Sequence, residues 1–322
     1  MSLLLKLTIQ ADKLYEPVVL GGVQWETAQK GEPGKLTFTV VKDDVISFNE
    51  GAPVRLAVDG KDIFQGYVFT KTRNKDHHIR VVAYDQLRYF KNKDVYVYKN
   101  KTASELVSMI ADDYGLMLGT VEDTKYKIEK RVEDGQSLFD IIENALKITK
   151  DNTDKVFVLF DDAGRIALRD IQSMKLNMVI DKDAAEDFDY TSSIDGETYN
   201  YIKLVKESGS KGRREINVIV RDDKSIAEWG RLQYYEKVSD GGVDLHAQAE
   251  QLLKQYNHKT RSLRITGVLG DVTVRAGCML PVSLNLGDIV HNSYLICRRV
   301  VHTWEQGHHR MDIEMAGGDR FA

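Results

Sequence analysis

Eight histidines, two cysteines and four adjacent aspartate pairs are the groups in this 322-residue chain that could carry chemistry. Four of the histidines come as neighbours, His77-His78 and His308-His309. Neighbours in a strand point to opposite faces, so neither pair can turn both imidazoles onto one ion. No His-x-x-x-His pattern and no Cys/His cluster has ligand spacing, so no metal is expected. Cys278 could serve as a nucleophile only with His291 or His302. Nothing places a third group to orient the imidazole, and Cys278 opens an apolar strand. Cys278 and Cys297 read as buried apolar thiols in a reducing compartment. The carboxylate pairs are Asp43-Asp44, Asp112-Asp113, Asp161-Asp162 and Asp222-Asp223. Glycoside hydrolysis needs two carboxyls about 5 to 9 Å apart in a cleft, whereas aspartate pairs at turns read as solvated faces and caps. There is no Gly-x-Ser-x-Gly elbow, and the glycines of 31–34 and 267–270 lack the lysine and helix of a phosphate loop. The expectation is a non-enzymatic chain with no cofactor. The one charged cluster, Lys211, Arg213 and Arg214, sits in a glycine-rich polar tip and is read as a protein-contact loop.

The elements around these groups are mostly strands. Leu36, Phe38 and Val40 alternate with Lys35, Thr37 and Thr39; Val54, Leu56 and Val58 alternate with Arg55, Ala57 and Asp59; Ile79, Val81 and Ala83 alternate with Arg80, Val82 and Tyr84. Period two with one apolar face predicts half-buried strands. Asp59-Gly60 predicts a two-residue hairpin turn. From about Val95 the pattern changes. Thr102 and Glu105 form a capping box before Leu106, Met109 and Ile110, and Gly115 ends that helix. A second helix starts near Ser137 with Ile141, Ile142, Ala145 and Leu146 on one face. The segment 95–170 therefore reads as a small α+β module whose strand-helix-helix-strand order is similar to the LysM fold. That order leaves a cell-wall (peptidoglycan) binding or hydrolysing protein as the alternative function. Beyond 171 strands return, with a hairpin over 201–220 and a helix over 244–258 expected to plug a second β-barrel.

Charge and size set the outer limits. The chain is long enough for two or three domains, and the predicted division is 1–94, 95–170 and 171–322. A net charge of −4 offers no basic field for nucleic acid. The apolar run Leu3-Leu4-Leu5 is too short for a signal-peptide core or a bilayer span, so the expectation is a soluble chain made in the cytoplasm without a signal peptide, leaving the cell only by lysis or inside an assembly. A further pattern is an internal repeat. Gly51 to Gly60, Gly66 to Phe69 and His77 to Val81 are echoed by Gly277 to Asp288, Ser293 to Ile296 and His308 to Ile313. Both copies read as a glycine entry, a strand, a tyrosine-led strand and a closing strand after His-His.

Several short runs carry a resemblance. Phe48-Asn49-Glu50-Gly51, Ile63-Phe64-Gln65-Gly66, Val82-Ala83-Tyr84-Asp85-Gln86-Leu87-Arg88-Tyr89, Lys101-Thr102-Ala103-Ser104, Ser137-Leu138-Phe139-Asp140, Ala227-Glu228-Trp229-Gly230 and Arg275-Ala276-Gly277 resemble the XkdQ/YqbQ-like hub proteins of contractile phage tails, defective prophages and phage-tail-like bacteriocins. The resemblance implies two tube-protein-like β-barrels per chain. It implies a homotrimeric baseplate torus that adapts a three-fold spike to a six-fold tail tube. It also implies contacts with other baseplate proteins, and location in a virion or tail-like particle. Some hub relatives carry a fused spike or lysozyme; here those parts are expected on separate chains. The mildly acidic balance suggests a lumen that lets DNA or a tape-measure protein pass without sticking.

Overall fold

The computed structural model describes residues 4–43, 45–208, 213–238, 244–287 and 289–316, with the side chains of 207–217 outside that description. The fold is mainly β with a small α+β module, as the alternation predicts. The first strands are β1 (Leu5–Gln10), β2 (Leu14–Tyr15), β3 (Val19–Ala28), β4 (Lys35–Val41), β5 (Pro53–Val58), β6 (Lys61–Arg73) and β7 (His78–Tyr84). A 3-10 turn (Gln86–Lys91) leads into β8 (Lys93–Lys101), α1 (Ala103–Asp113), β9 (Leu118–Val121), β10 (Ile128–Ser137), α2 (Leu138–Thr153), β11 (Phe157–Asp161) and β12 (Ile166–Asp170). Then come β13 (Asp187–Ser193), β14 (Tyr201–Ser208), β15 (Arg213–Arg221), α3 (Asp223–Trp229), β16 (Gln233–Val238) and α4 (Leu245–Tyr256). The chain closes with β17 (Thr260–Leu269), β18 (Met279–Asn285), β19 (Val290–Glu305) and β20 (His308–Ala316).

Twelve of these strands form one sheet in the order β13-β17-β20-β19-β3-β4-β7-β6-β5-β1-β2, with β18 also on β19. The order contains the same pattern twice. In front it runs β3-β4-β7-β6-β5, and in the rear β13-β17-β20-β19-β18. Each half is a first pair of strands followed by a three-strand meander whose last strand returns to the second strand of the pair. The expected repeat of β5, β6 and β7 in β18, β19 and β20 is thus part of a longer one. In both halves the middle strand of the meander is the long one, with 13 residues in β6 and 16 in β19. The halves are joined by antiparallel pairing of β19 with β3, from Arg299 opposite Ala28 to Trp304 opposite Val23.

Local chemistry explains the elements. Leu36, Phe38 and Val40 are buried on β4, and Leu56 and Val81 lie in the same core, with Thr37 and Thr39 on the opposite face of β4. Asp59 and Gly60 turn the β5–β6 hairpin at φ 49° and 80°, the positive-φ pair a type I′ turn requires. Thr102 and Glu105 form the full capping box, and Ser137 caps α2 by accepting from Asp140 N. Leu106, Ile110, Leu138, Ile141 and Ile142 make the module's core. Opposite signs of surface charge tie the join: Arg299 on β19 pairs with Glu26 on β3, and with Glu32 at 3.0 Å.

The chain folds as two compact units. One comprises the residues up to Asp189 together with Arg264–Met315, and the other is Tyr190–Leu263. The second unit has its own three-stranded sheet, β15-β14-β16. The Asp244–His258 helix of the sequence reading appears as α4, capped by Asp244. Its apolar stripe, Ala249, Leu252 and Leu253, packs on Ile202, Leu204 and Val218 of that smaller sheet. The expectation that it plugs a barrel built by 171–322 gives way to this, because helical periodicity reports that a stripe is covered, never by which sheet.

Candidate functional site

The most unusual group of residues in the first unit is a buried polar junction. Asp85 follows β7 and caps the 3-10 turn, its Oδ1 accepting from Leu87 N at 3.0 Å. Its Oδ2 accepts from Gly34 N at 2.8 Å, which ties the β3–β4 connection to the end of β7. Gln86 donates through Nε2 to Gly164 O and, at 3.4 Å, to Asp161 Oδ2. Asp161 closes the β11–β12 turn by accepting from Gly164 N at 2.6 Å. Arg275, between β17 and β18, donates from Nη2 to Asp161 O at 2.8 Å, and its guanidinium lies 4.0 Å from the centre of the Phe160 ring. Beside it Ala276 N donates to Thr27 Oγ1 at 2.9 Å, and Gly277 N to Cys297 O at 2.8 Å. Residues from the front strands, the α+β module and the rear strands therefore meet at one point.

Its electrostatics are those of a closed interior. Burial pushes the Asp85 carboxyl well above the ordinary range, and neighbouring Asp161 pushes it further. Burial raises Asp161 to about 6, with Gly164 N and Arg275 pulling back. Burial also lowers Arg275. The nearby Arg275 cation offsets carboxylate charge that would otherwise be costly in a low-dielectric interior. The Arg275 Nε has no hydrogen-bond partner. The junction fixes the positions of the strands and turns that meet there.

A second buried feature lies on the join between the halves. His302 on β19 stands opposite Trp25 on β3. Its ring stacks on Trp25 at 4.9 Å and on Trp304 at 5.6 Å, and Trp304 stacks on His309 at 4.4 Å. His302 Nε2 lies 2.8 Å from Val274 O, a carbonyl that can only accept, so the proton sits on Nε2. Nδ1 is then an acceptor, and His309 Nε2, 2.9 Å away, is its donor. Burial lowers His302 to about 3 and His309 to about 4, so both are neutral at physiological pH.

The residues singled out in the sequence fall in different places. Lys211 lies outside the described residues. Arg213 and Arg214 begin β15, where their backbones pair with Ser208 and Glu207. His309 is buried and His308 exposed, as alternation in β20 requires, whereas His77 lies in a left-handed turn at φ 60° before β7 and so does not alternate with His78 in a strand. Cys278 Sγ contacts Thr273 O at 3.7 Å, and burial raises its pKa. No metal-holding cluster occurs among the described residues. Asp222 caps α3 and Asp113 accepts from Tyr96 OH at 2.9 Å, in keeping with a capping and surface role for the aspartate pairs. Asp161 differs, being buried, and the sequence reading missed it. The usable signal was its position after the apolar run 156–160, where an acid at a strand end can turn inward. The histidine pair was also missed, since His302 and His309 are seven apart and meet only through the β19–β20 hairpin.

Comparison with known proteins agrees with this geometry. A family model described as YqbQ-like matches residues 23–316. The uncharacterized protein YqbQ of Bacillus subtilis (strain 168) is 30% identical over 275 residues, covering 84% of this chain and 82% of YqbQ. The phage-like element PBSX protein XkdQ of the same strain is 25% identical over 321 residues, covering 97% of each. Among solved structures, the 43 kDa tail protein of prophage MuSo2 from Shewanella oneidensis superposes with a TM-score of 0.70 at 12% identity, over 97% of this chain and 98% of that one. The E. coli c3393 protein, a type VI secretion component described as structurally similar to T4 bacteriophage tail proteins gp27 and gp5, gives 0.56 at 11% identity, over 98% and 78%. No helix among the described residues is long and apolar enough to cross a membrane. Matched along nearly its whole length in sequence and sharing the fold of phage tail proteins, the chain belongs to the YqbQ-like family.

Proposed function

We propose that the chain is the structural hub of a contractile phage tail or tail-like particle, without turnover, which adapts a three-fold spike to a six-fold tail tube. The observation that carries this reading is the repeated strand order together with the β19–β3 join. A chain made of two like halves, joined edge to edge, supplies two of six ring segments. Three copies complete the ring. The counterpart of β19 is β6, and the counterpart of β3 is β13. Closure then pairs 69–73 of one copy with β13 of the next. Both edges are open for it: β13 ends the sheet, and β5 pairs with β6 only as far as Tyr67, opposite Pro53. Unpaired edges favour association, and a closed ring removes them.

Two further features support the reading. The buried junction and the buried histidine pair both hold strands together. The relatives are phage-element and tail proteins, and c3393 is likened to a tail-protein pair. In this reading 1–94 supplies one barrel, 171–322 apart from its 190–263 unit supplies the other, and 95–170 is the module between them. The spike, the tube and other baseplate proteins are the partners, the loop of Lys211, Arg213 and Arg214 is one contact, and DNA or a tape-measure protein passes through the lumen.

The test is oligomeric state and strand pairing together. Light scattering should give a trimer for the chain alone or with its spike. Cysteine at Thr70, combined in turn with cysteine at Asp187, Asp189 or Thr191, should oxidise to a three-copy covalent ring in at least one combination. A monomer under both conditions, with no three-copy band, overturns the hub.

A further inference from the structure

The α+β module carries an exposed face that its own fold does not explain. β8 and β10 form a two-stranded sheet, so each strand keeps one edge free among the described residues. The inner face is anchored. Tyr96 and Tyr98 are buried, Tyr96 OH donates to Asp113, and Glu133 is fully buried while accepting from Arg131 Nε and Gln136 Nε2 at 2.9 Å each. The outer face consists of three cross-strand rows in register: Val95 opposite Asp134, Val97 opposite Val132, and Lys99 opposite Lys130. The three valines are 55%, 62% and 59% exposed.

Two properties of this face point outward. Valines gain nothing from water, and these three adjoin one another. Like charges directly opposite on a sheet are destabilising, yet Lys99 and Lys130 share a row with no carboxylate at ion-pair distance among the described residues. An acid in either place would serve the free chain better. The arrangement becomes favourable when a carboxylate sits over the two ammonium groups and apolar side chains cover the valines.

We infer that the outer face of β8 and β10 docks a strand of a different protein of the particle, one whose every second residue faces the ribbon and runs apolar, apolar, acidic, with its backbone along a free ribbon edge. This rests on the hub reading, since the occupant is a neighbour within the assembly. A second copy of this chain is the poorer occupant. Three valines cover far less than the roughly 800 Å² per partner that a stable pair needs. A neighbour already held elsewhere needs only a weak added contact, because tethering raises its effective concentration. A polyanion would use the lysines but leave the valines bare.

The test uses the full purified chain and two blocked nine-residue peptides with serine at every odd position, the even positions reading glutamate-valine-valine-glutamate in one and lysine-valine-valine-lysine in the other. Fluorescence anisotropy should show the glutamate peptide binding at least about ten-fold tighter. K99E/K130E should reverse that order, and V97S/V132S should weaken the glutamate peptide about five-fold or more. Melting curves guard against misfolding, and K99E alone should raise the melting temperature by turning a repulsive row into an attractive one. Equal binding of the two peptides, or an unchanged preference in K99E/K130E, overturns the inference. The hub reading fails separately, through absence of the three-copy ring. A failed ring with selective glutamate-peptide binding supports the docking face on its own, and an intact ring without selectivity removes the docking face alone.

Discussion

His302 and His309 share one hydrogen bond, Nδ1 to Nε2 at 2.9 Å, inside a pile of rings that spans the join between the two halves. The bond requires His302 Nδ1 to be bare. A proton there would set two donors against each other in a buried space.

Acid should therefore weaken the fold. Both histidines titrate lower in the folded chain, at about 3 and about 4, than the ordinary 6.5. The unfolded chain takes up protons first, so their contribution is complete above about pH 6.5 and drains away as pH falls towards 3. His302 alone accounts for about 2 kcal/mol by pH 5. Asp161 acts in the opposite sense. Raised to about 6, it burdens the fold above that pH and relieves it as pH falls towards 3.8. Denaturant midpoints between pH 7.5 and 4 should fall with acid, and should fall more steeply in Asp161→Asn.

Arg275→Met should cost about 3–5 kcal/mol at pH 8, since it leaves two buried carboxyls without their cation. The loss should shrink at pH 5, where Asp161 takes up a proton. Arg275→Lys should fall between, because a point charge keeps the balance but loses the flat contact with Phe160. Equilibrium unfolding at the two pH values reads all three.

Gly66 and Gly60 should respond in opposite ways to a side chain. A Cβ at Gly66 would come within 2.2 Å of the Tyr84 carbonyl oxygen, where β6 leaves β5 for β7. Gly66→Ala should cost more than about 3 kcal/mol, because backbone must move. Gly60 faces open space at φ 80°, and Gly60→Asn, a residue that tolerates that φ, should cost under about 1 kcal/mol. Thermal melts of the two variants make the comparison.

Leu56→Asp and Ile313→Asp should abolish soluble folded protein. Each puts an unpaired carboxylate at a position with no solvent exposure, one in each half of the repeat. Circular dichroism of refolded material checks loss of folding directly, as distinct from loss of a partner contact.

The sequence made the strands and helices readable where local physics decides them. Alternation placed β4, β5 and β7, and the Thr102–Glu105 box placed the start of α1. The meander repeat was readable because turns and glycines recur within some thirty residues. Its first two strands were not. β13 and β17 are separated by the whole 190–263 unit, so their likeness to the β3–β4 pair is hidden in the linear order. The buried junction was hidden for a similar reason. Asp85, Asp161 and Arg275 lie 76 and 114 positions apart in sequence, and an aspartate at a turn carries no local mark of whether it faces water or an arginine.

The place where that second unit leaves and rejoins the chain has a consequence of its own. Thr260 donates to Ser193 O, and Arg261 to the Tyr190 hydroxyl, so the outgoing and returning strands are fastened at the root. A closed root makes the cost of what lies beyond it depend only weakly on length. The root thus fixes where the 194–259 stretch leaves and rejoins the chain, and a change in the length of that stretch should cost the frame little.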